Sequence, residues 1–361
     1  MILLNPGPVT LSPRVRAALQ GEDICHREVE FASLTLALQK RLLGIYPDAL
    51  SDYAAVLLTG SGSCAVEAML STFCIPERPT LVLCNGAYGE RMAQMLRQQH
   101  KAYLTLDFGW LQPLDIERIA DLLGERPDIA AVAVVHHETT TGRLNALPEL
   151  ARLCEEKGIG LLIDAVSSFG AEELDFSTWK PIAVAATANK CLHGIPGAAF
   201  VVAQQSYLRR NQGFSTSLYL DLERYYSQQC SGWSPFTQAV QAFQALHEAL
   251  LELAGEGGWR ARQKCYQARS SKIAKVLSHL NIEPLLDPQA SASMLRAYRL
   301  PQAMDYPELH DALKASGFII YAGQGVLSTD IFRIATMGAI GQGDLNRLCS
   351  TFGELLGKGA R

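Results

Sequence analysis

The sequence predicts an α/β protein in which a large domain with a mostly parallel sheet between helices is followed by a smaller α+β domain. Three observations predict it. Apolar runs at 54–58, 80–84, 130–135, 161–163, 182–186 and 198–203 have the length and character of buried strands. Helical patterns lie between several of them, at 64–73 and 148–156, and strands alternating with helices build a parallel sheet covered on both faces. From about Gly232 the pattern changes to long amphipathic segments and then to short mixed ones. That change divides the chain into 1–250, which includes an extended N-terminal segment, and 251–361.

In order, Asn5-Pro6-Gly7-Pro8 is a rigid, extended opening that cannot start a helix. Residues 12–19 read as a helix, with Ser12 as N-cap and Pro13 at its first position. Helical periodicity runs over 31–46 and stops before Pro47. The strand at 54–58 leads into Thr59-Gly60-Ser61-Gly62-Ser63 and then a helix. After Gly232 come helical patterns at 236–253 and 260–280, separated by Gly257-Gly258. Strands at 293–299, 318–321 and 331–334 alternate with helices at 306–316 and 344–356.

Composition narrows the partners. With 361 residues, 48% of them hydrophobic, the chain can bury one large core and a smaller one. Its net charge is −4 and its lysines and arginines are scattered, so no basic stripe suited to nucleic acid stands out. No run approaches the length of a membrane span, and the apolar start breaks at Pro6 too soon for a signal peptide. Nine cysteines without a C-x-x-C fit reduced thiols in a cytoplasmic protein.

Chemistry concentrates where apolar runs end. Lys190 stands where a strand gives way to a Gly/Pro-bounded loop. It is either a solvated strand end or an amine put to use, since a buried lysine loses its proton easily and forms Schiff bases. Asp164 ends the run before it. An acid there points into the crevice in which open α/β sheets bind ligands, although it could equally cap a helix. Together the two suggest pyridoxal phosphate, which needs a lysine for its aldehyde and an acid beside its ring nitrogen. The phosphate needs an anion site, and the strand–turn–helix at Gly60-Ser61-Gly62-Ser63 supplies helix-start amides. Gly60, Gly62 and Ala65 also match G-x-G-x-x-G/A, which leaves a dinucleotide fold open, but no acid ends the next strand. His136-His137-Glu138 invites a zinc reading, against which neighbours on an extended chain point to opposite sides and H-E-x-x-H is absent.

These motifs, NPGP, TGSGSCAVEA, NGAYGERM, HHETTTG, LLIDAVSS, TANKCLHGIPG and FRIATMG, occur in an order that resembles the class V aminotransferases of pyridoxal-phosphate fold type I. The resemblance spans nearly the whole chain. It implies that Lys190 carries the cofactor's aldehyde and Asp164 pairs with the ring nitrogen. Ser61, Gly62 and Ser63 would hold the phosphate, Tyr88 would lie against the ring, and Thr139 would bond its phenolic oxygen. Thr237 would serve the phosphate site of the other subunit of a homodimer. Arg333, with Gly7 beside it, would bind the substrate's anion. No arginine follows Lys190 closely, a departure from many aminotransferases. The implied reaction takes the amino group of 2-aminoethylphosphonate to pyruvate in phosphonate degradation. Alanine–glyoxylate and serine–glyoxylate exchange are the alternatives.

Overall fold

Seven apolar strands form the central sheet: β1 (Tyr53–Gly60), β2 (Thr80–Cys84), β3 (Tyr103–Asp107), β4 (Ala131–Val135), β5 (Gly160–Asp164), β6 (Ala183–Thr187) and β7 (Gly197–Gln204). The computed structural model describes residues 1–210, 212–302 and 304–357. Side by side the strands run β1-β7-β6-β5-β4-β2-β3. Neighbours are parallel except at β7, which is antiparallel to both β1 and β6.

Side chains alternate across the sheet because the strand period is two. Leu57, Leu81, Val132, Ile163, Val184 and Phe200 face one core, with the helices Val29–Leu43 and Pro148–Glu156 packed nearby. On the other face stand smaller residues, Ala131, Ala133, Ala183, Ala185 and Ala199. Their size lets the helix α1 (Gly62–Phe73) settle close to β6 and β7. The helix α2 (Ala87–Gln98) covers β2 and β3 on the same face. Two long helices follow, α3 (Val240–Gly255) and α4 (Gly258–His279), hinged at Gly257 and Gly258, both at positive φ.

The C-terminal stretch contributes an antiparallel sheet of β8 (Leu295–Arg299), β9 (Tyr321–Ala322) and β10 (Ile331–Ala335), with β10 in the middle. Its core gathers Leu309, Leu313, Phe318, Phe332, Leu345 and Phe352. The N-terminal strand Ile2–Leu3 pairs in parallel with Phe318–Ile319. The chain therefore begins beside its C-terminal residues, and Asn5 to Pro8 then lead it towards Lys190.

Several expectations hold in detail. Ser12 caps Pro13–Ala17 by accepting from Val15 N at 3.1 Å. Others shift. The helix expected from residue 236 begins at Val240, because the Gln238 side chain and the Ala239 amide are tied to Thr59 instead. The edge strand β3 and the helix α2 had not been expected. β3 alternates weakly and is half-exposed, so it lacks a continuous apolar run.

Candidate active site

The carboxyl ends of the parallel strands converge on one crevice, as open α/β sheets dictate. β1 delivers Ser61 and the start of α1, β2 delivers Tyr88, β4 delivers residues 137–139, β5 ends in Asp164, and Lys190 follows β6. Gly62, Ser63, Tyr88 and Asp164 line one cavity wall together with Arg91 and Val166.

Asp164 is buried at 6% exposure. One carboxylate oxygen accepts from Val166 N at 2.9 Å, an Asx turn that fixes the group without capping a helix. Burial raises its pKa to about 6, opposed by the Val166 amide and by the charges of Arg91 and Lys190. Lys190 is half-buried and donates to the Pro6 carbonyl. Desolvation lowers its pKa to about 8; Cys191 and Asp164 resist this, while the positive charges of Arg333 and Arg91 add to it. An amine in this state exchanges its proton near neutral pH. Gly7 packs on its stem at φ +124°, and a Cβ there would lie 2.7 Å from Lys190 Cδ.

The start of α1 is open. Ser61 has extended backbone and its hydroxyl makes no capping bond. The first amide to close the helix ladder is Ala65 N, onto Ser61 O at 3.3 Å. The amides of residues 62–64 therefore face outward at the positive end of the helix dipole, a cradle for an anion. Gly62 is required there, since a Cβ would sit 2.5 Å from Val166 Cγ1.

Thr139 is buried, and its carbonyl accepts from Arg333 Nη1 at 2.8 Å. Arg333 Nε donates to Ala322 O at 2.8 Å. Arg333 is only 2% exposed and its guanidinium lies 5.2 Å from the Tyr321 ring. It takes part in no ion pair among the described residues, and its hydrogen bonds there engage Nε and Nη1 but not Nη2. Thr237 lies elsewhere: it is exposed in the loop ahead of α3, next to Gln238, which bonds Thr59. The structure gathers the other predicted residues around the crevice and leaves Thr237 on the surface.

Two residues of the crevice escaped sequence reasoning. Glu138 is fully buried and accepts from Tyr88 N at 3.2 Å, Gly89 N at 3.4 Å and Thr140 Oγ1 at 2.5 Å. It holds the first turn of α2, so the HHE stretch is a helix cap, and its neighbours His136 and His137 bond Ser168 and Ser167. Arg91 lies one helical turn beyond Tyr88, a spacing visible in NGAYGERM once the helix is recognised. His193, which follows Lys190, is structural: its Nε2 meets Tyr266 Oη at 2.5 Å and accepts from Gly338 N at 2.8 Å. Burial keeps it neutral.

The residues fit pyridoxal phosphate. The crevice offers a half-buried lysine of lowered proton affinity, a buried carboxylate with a free oxygen, and uncapped helix-start amides for the phosphate. Its cations, Lys190, Arg91 and Arg333, outnumber its carboxylates, Asp164 and Glu138, which suits an anionic ligand.

Comparison with known proteins agrees with this geometry. The family model for aminotransferase class-V matches residues 51–336. The chain is 36% identical over 355 residues to a 2-aminoethylphosphonate–pyruvate transaminase of Vibrio cholerae, covering 97% of this chain and 96% of that one. It is 31% identical to a bifunctional phosphonoacetaldehyde hydrolase/aminoethylphosphonate transaminase of Clostridioides difficile, covering 99% of this chain and 56% of that one. Among solved structures, an aspartate aminotransferase of subgroup IV from Thermus thermophilus superposes with a TM-score of 0.90 at 26% identity, covering 99% of both chains. By family match, near full-length relatives and fold, this chain belongs to the class-V aminotransferases.

Proposed function

We propose that this chain moves the amino group of 2-aminoethylphosphonate to pyruvate, giving phosphonoacetaldehyde and L-alanine, with pyridoxal phosphate as cofactor. The observation that supports an anionic donor is Arg333: a buried guanidinium that forms no ion pair among the described residues, has Nη2 without a hydrogen bond there, and whose charge reaches Lys190. Such a group takes the phosphonate of the donor and the carboxylate of the acceptor in turn. The near full-length likeness to transaminases of that name supports the choice. The Clostridioides relative, by its name, joins such a transaminase to a phosphonoacetaldehyde hydrolase, an activity that would consume the aldehyde produced.

When bound, the cofactor supplies an aldehyde that takes up amino groups and a ring that accepts an electron pair. The chain does the rest. Lys190 would hold the cofactor until the donor amine arrives, and would then take a proton from the donor carbon bearing nitrogen and deliver it to the carbon that had been the cofactor's aldehyde. Asp164 would pair with the ring nitrogen and keep it protonated, which would let the ring draw electrons. Ser61, Gly62 and Ser63 would hold the phosphate, Tyr88 would lie against the ring, and Thr139 would serve its phenolic oxygen. Gly7 leaves room for the Lys190 stem and would stand beside the substrate.

The same proposal includes a homodimer with shared sites. Thr237 stands in an exposed apolar patch with Trp233, Leu218 and Tyr219, whose ring lies 5.0 Å from that of Phe236. It also includes the division into a cofactor domain, 1–250, and a smaller domain, 251–361. Nine cysteines without a disulfide spacing support a cytoplasmic location, and no helix among the described residues is long and apolar enough to cross a membrane.

A donor screen tests the reading. Purified protein is given 2-aminoethylphosphonate, alanine or serine, with pyruvate or glyoxylate as acceptor. We expect the fastest exchange with 2-aminoethylphosphonate and pyruvate. Preference for glyoxylate with alanine or serine would move the chain to the alternative exchange. A purified protein that neither absorbs as a pyridoxal enzyme nor binds the cofactor would end the proposal.

A further inference from the structure

Arg91 is the one cation of the crevice wall to which the mechanism above gives no task. It projects from α2 one turn beyond Tyr88, with its guanidinium carbon 4.7 Å from the centroid of the Tyr88 ring. It lines the same wall as Ser63, Asp164 and Val166. Among the described residues it enters no ion pair with any carboxylate. A half-buried arginine with an aromatic face beside it and no ion pair has its charge free to act on the groups that line the same cavity.

Asp164 is where that charge acts. Four groups face it: Arg91 from α2, Lys190 from the turn after β6, Glu138 from the segment after β4, and the Val166 amide. Burial presses Asp164 to keep its proton; Glu138, itself pushed up to about 7, is the group on which the charge of Asp164 acts. Of the two cations that oppose burial, Arg91 acts more strongly than Lys190. Lys190 is also an unreliable counter-charge, because its own proton is held loosely. No arginine follows Lys190 closely to take over the role.

We propose that Arg91 is a positioning residue that keeps Asp164 ionised and steadies the ring of Tyr88, so that the carboxylate and the aromatic face are ready for one cofactor ring. This rests on the pyridoxal-phosphate reading of the crevice. Its consequence is a cofactor affinity whose fall in acid is set by residue 91. Removing the cation withdraws support from the charged form of Asp164, so the carboxylate takes up its proton at higher pH.

The test uses the full chain with its cofactor removed and reloaded. The dissociation constant for pyridoxal phosphate is measured by equilibrium dialysis from pH 5 to pH 8, for wild type, Arg91→Lys, Arg91→Met, Arg91→Gln and Asp164→Asn. Circular dichroism confirms that each variant is folded. We expect the acid midpoint of affinity to rise by about one pH unit in Arg91→Met and Arg91→Gln, and affinity at pH 6 to weaken about tenfold. Arg91→Lys should keep the wild-type midpoint. In the steady state, the neutral variants should lose kcat on the acid side while KM for pyruvate stays near wild type. A wild-type midpoint and affinity in whichever neutral variant folds would overturn the proposal and leave Arg91 as a packing arm on Tyr88. Asp164→Asn separates the two levels: it should lose the acid midpoint altogether. If it binds the cofactor with the wild-type affinity and pH dependence, the cofactor reading itself fails, whatever Arg91 does.

Discussion

At the scale of single residues the crevice is a set of charges held in low dielectric. Lys190 and Asp164 are displaced towards neutrality from opposite sides, to about 8 and about 6, both chiefly by desolvation. Replacing Lys190 by Ala should cut turnover by about 10³-fold or more and leave the circular dichroism spectrum intact. Borohydride reduction of the wild type, followed by peptide mapping, should find the cofactor on Lys190; labelling of another lysine would remove the assignment. Glu138 makes a second prediction, on stability. Burial first, then the charge of Asp164, lifts its pKa from 4.5 to about 7 against the bonds from Thr140 and Tyr88. A carboxyl with a raised folded pKa contributes stability that is fully present below its unfolded pKa and is lost as pH rises through the folded one. The cofactor-free wild type should therefore lose on the order of 3 kcal/mol more than Glu138→Gln between pH 4 and pH 8. Urea unfolding of both at each pH measures it, and parallel curves would mean that Glu138 is ionised throughout.

At the scale of elements the decisive unit is α1. Its small-residue bed on the sheet, Ala183, Ala185 and Ala199, lets the helix approach closely, and its uncapped start faces the crevice. The far end of α1 is closed by Lys101, a buried lysine that donates to the carbonyls of Ser71 and Cys74. A cation at the carboxyl end and an open amino end are what the helix dipole favours when an anion is to bind. Gly62→Ala should show how tight this start is. The added methyl would meet Val166 beside Asp164, and the strain should lower the melting temperature of the cofactor-free chain and, by shifting the first turn, weaken pyridoxal phosphate about tenfold, or ~1.4 kcal/mol. Unchanged affinity in dialysis would mean that Val166 yields and the first turn is not the phosphate cradle. α2 does for Tyr88 and Arg91 what α1 does for the amides, and its own first turn is pinned by Glu138. A Cβ on Gly86 would fall 2.3 Å from the Glu138 carboxyl carbon, so the cap and the glycine require each other.

At the scale of the whole molecule the proposed site would be completed only by a second copy. Thr237 stands exposed outside the crevice wall, in a patch that includes Leu218 at 65% and Trp233 at 37% exposure. Lys190→Ala and Thr237→Asp should each be inactive alone, the second because its carboxylate would repel a phosphate. Mixed under conditions of subunit exchange, they should regain activity well above the sum of the parents. In the heterodimer one site would combine intact Lys190 with Thr237 from the other chain. Exchange confirmed by native mass spectrometry without recovered activity would place Thr237 outside any shared site. The dimer and the cofactor should also stabilise each other by linkage, so that reloading the cofactor shifts the monomer–dimer balance seen in sedimentation.

The sequence by itself determined the class of fold and most of the crevice. Strand ends are legible because apolar runs must stop where the sheet stops, and Asp164, Lys190 and the Gly60 to Ser63 turn each stand just past such a stop. Gly7 and Arg333 were legible only through the order of motifs along the chain. Tertiary structure decided the rest. β3 was hidden because an edge strand has no need of a continuous apolar run, and the antiparallel course of β7 leaves no trace in its composition. Glu138 looked like part of a metal motif and proves to hold the start of α2, whose amides come from residues 50 positions or so earlier in the chain. Arg91 looked like one more scattered surface charge. Its place on the same cavity wall as Asp164 depends on packing α2 against the sheet, and a charge interaction between the two is a property of distance and dielectric, neither of which is written along the chain.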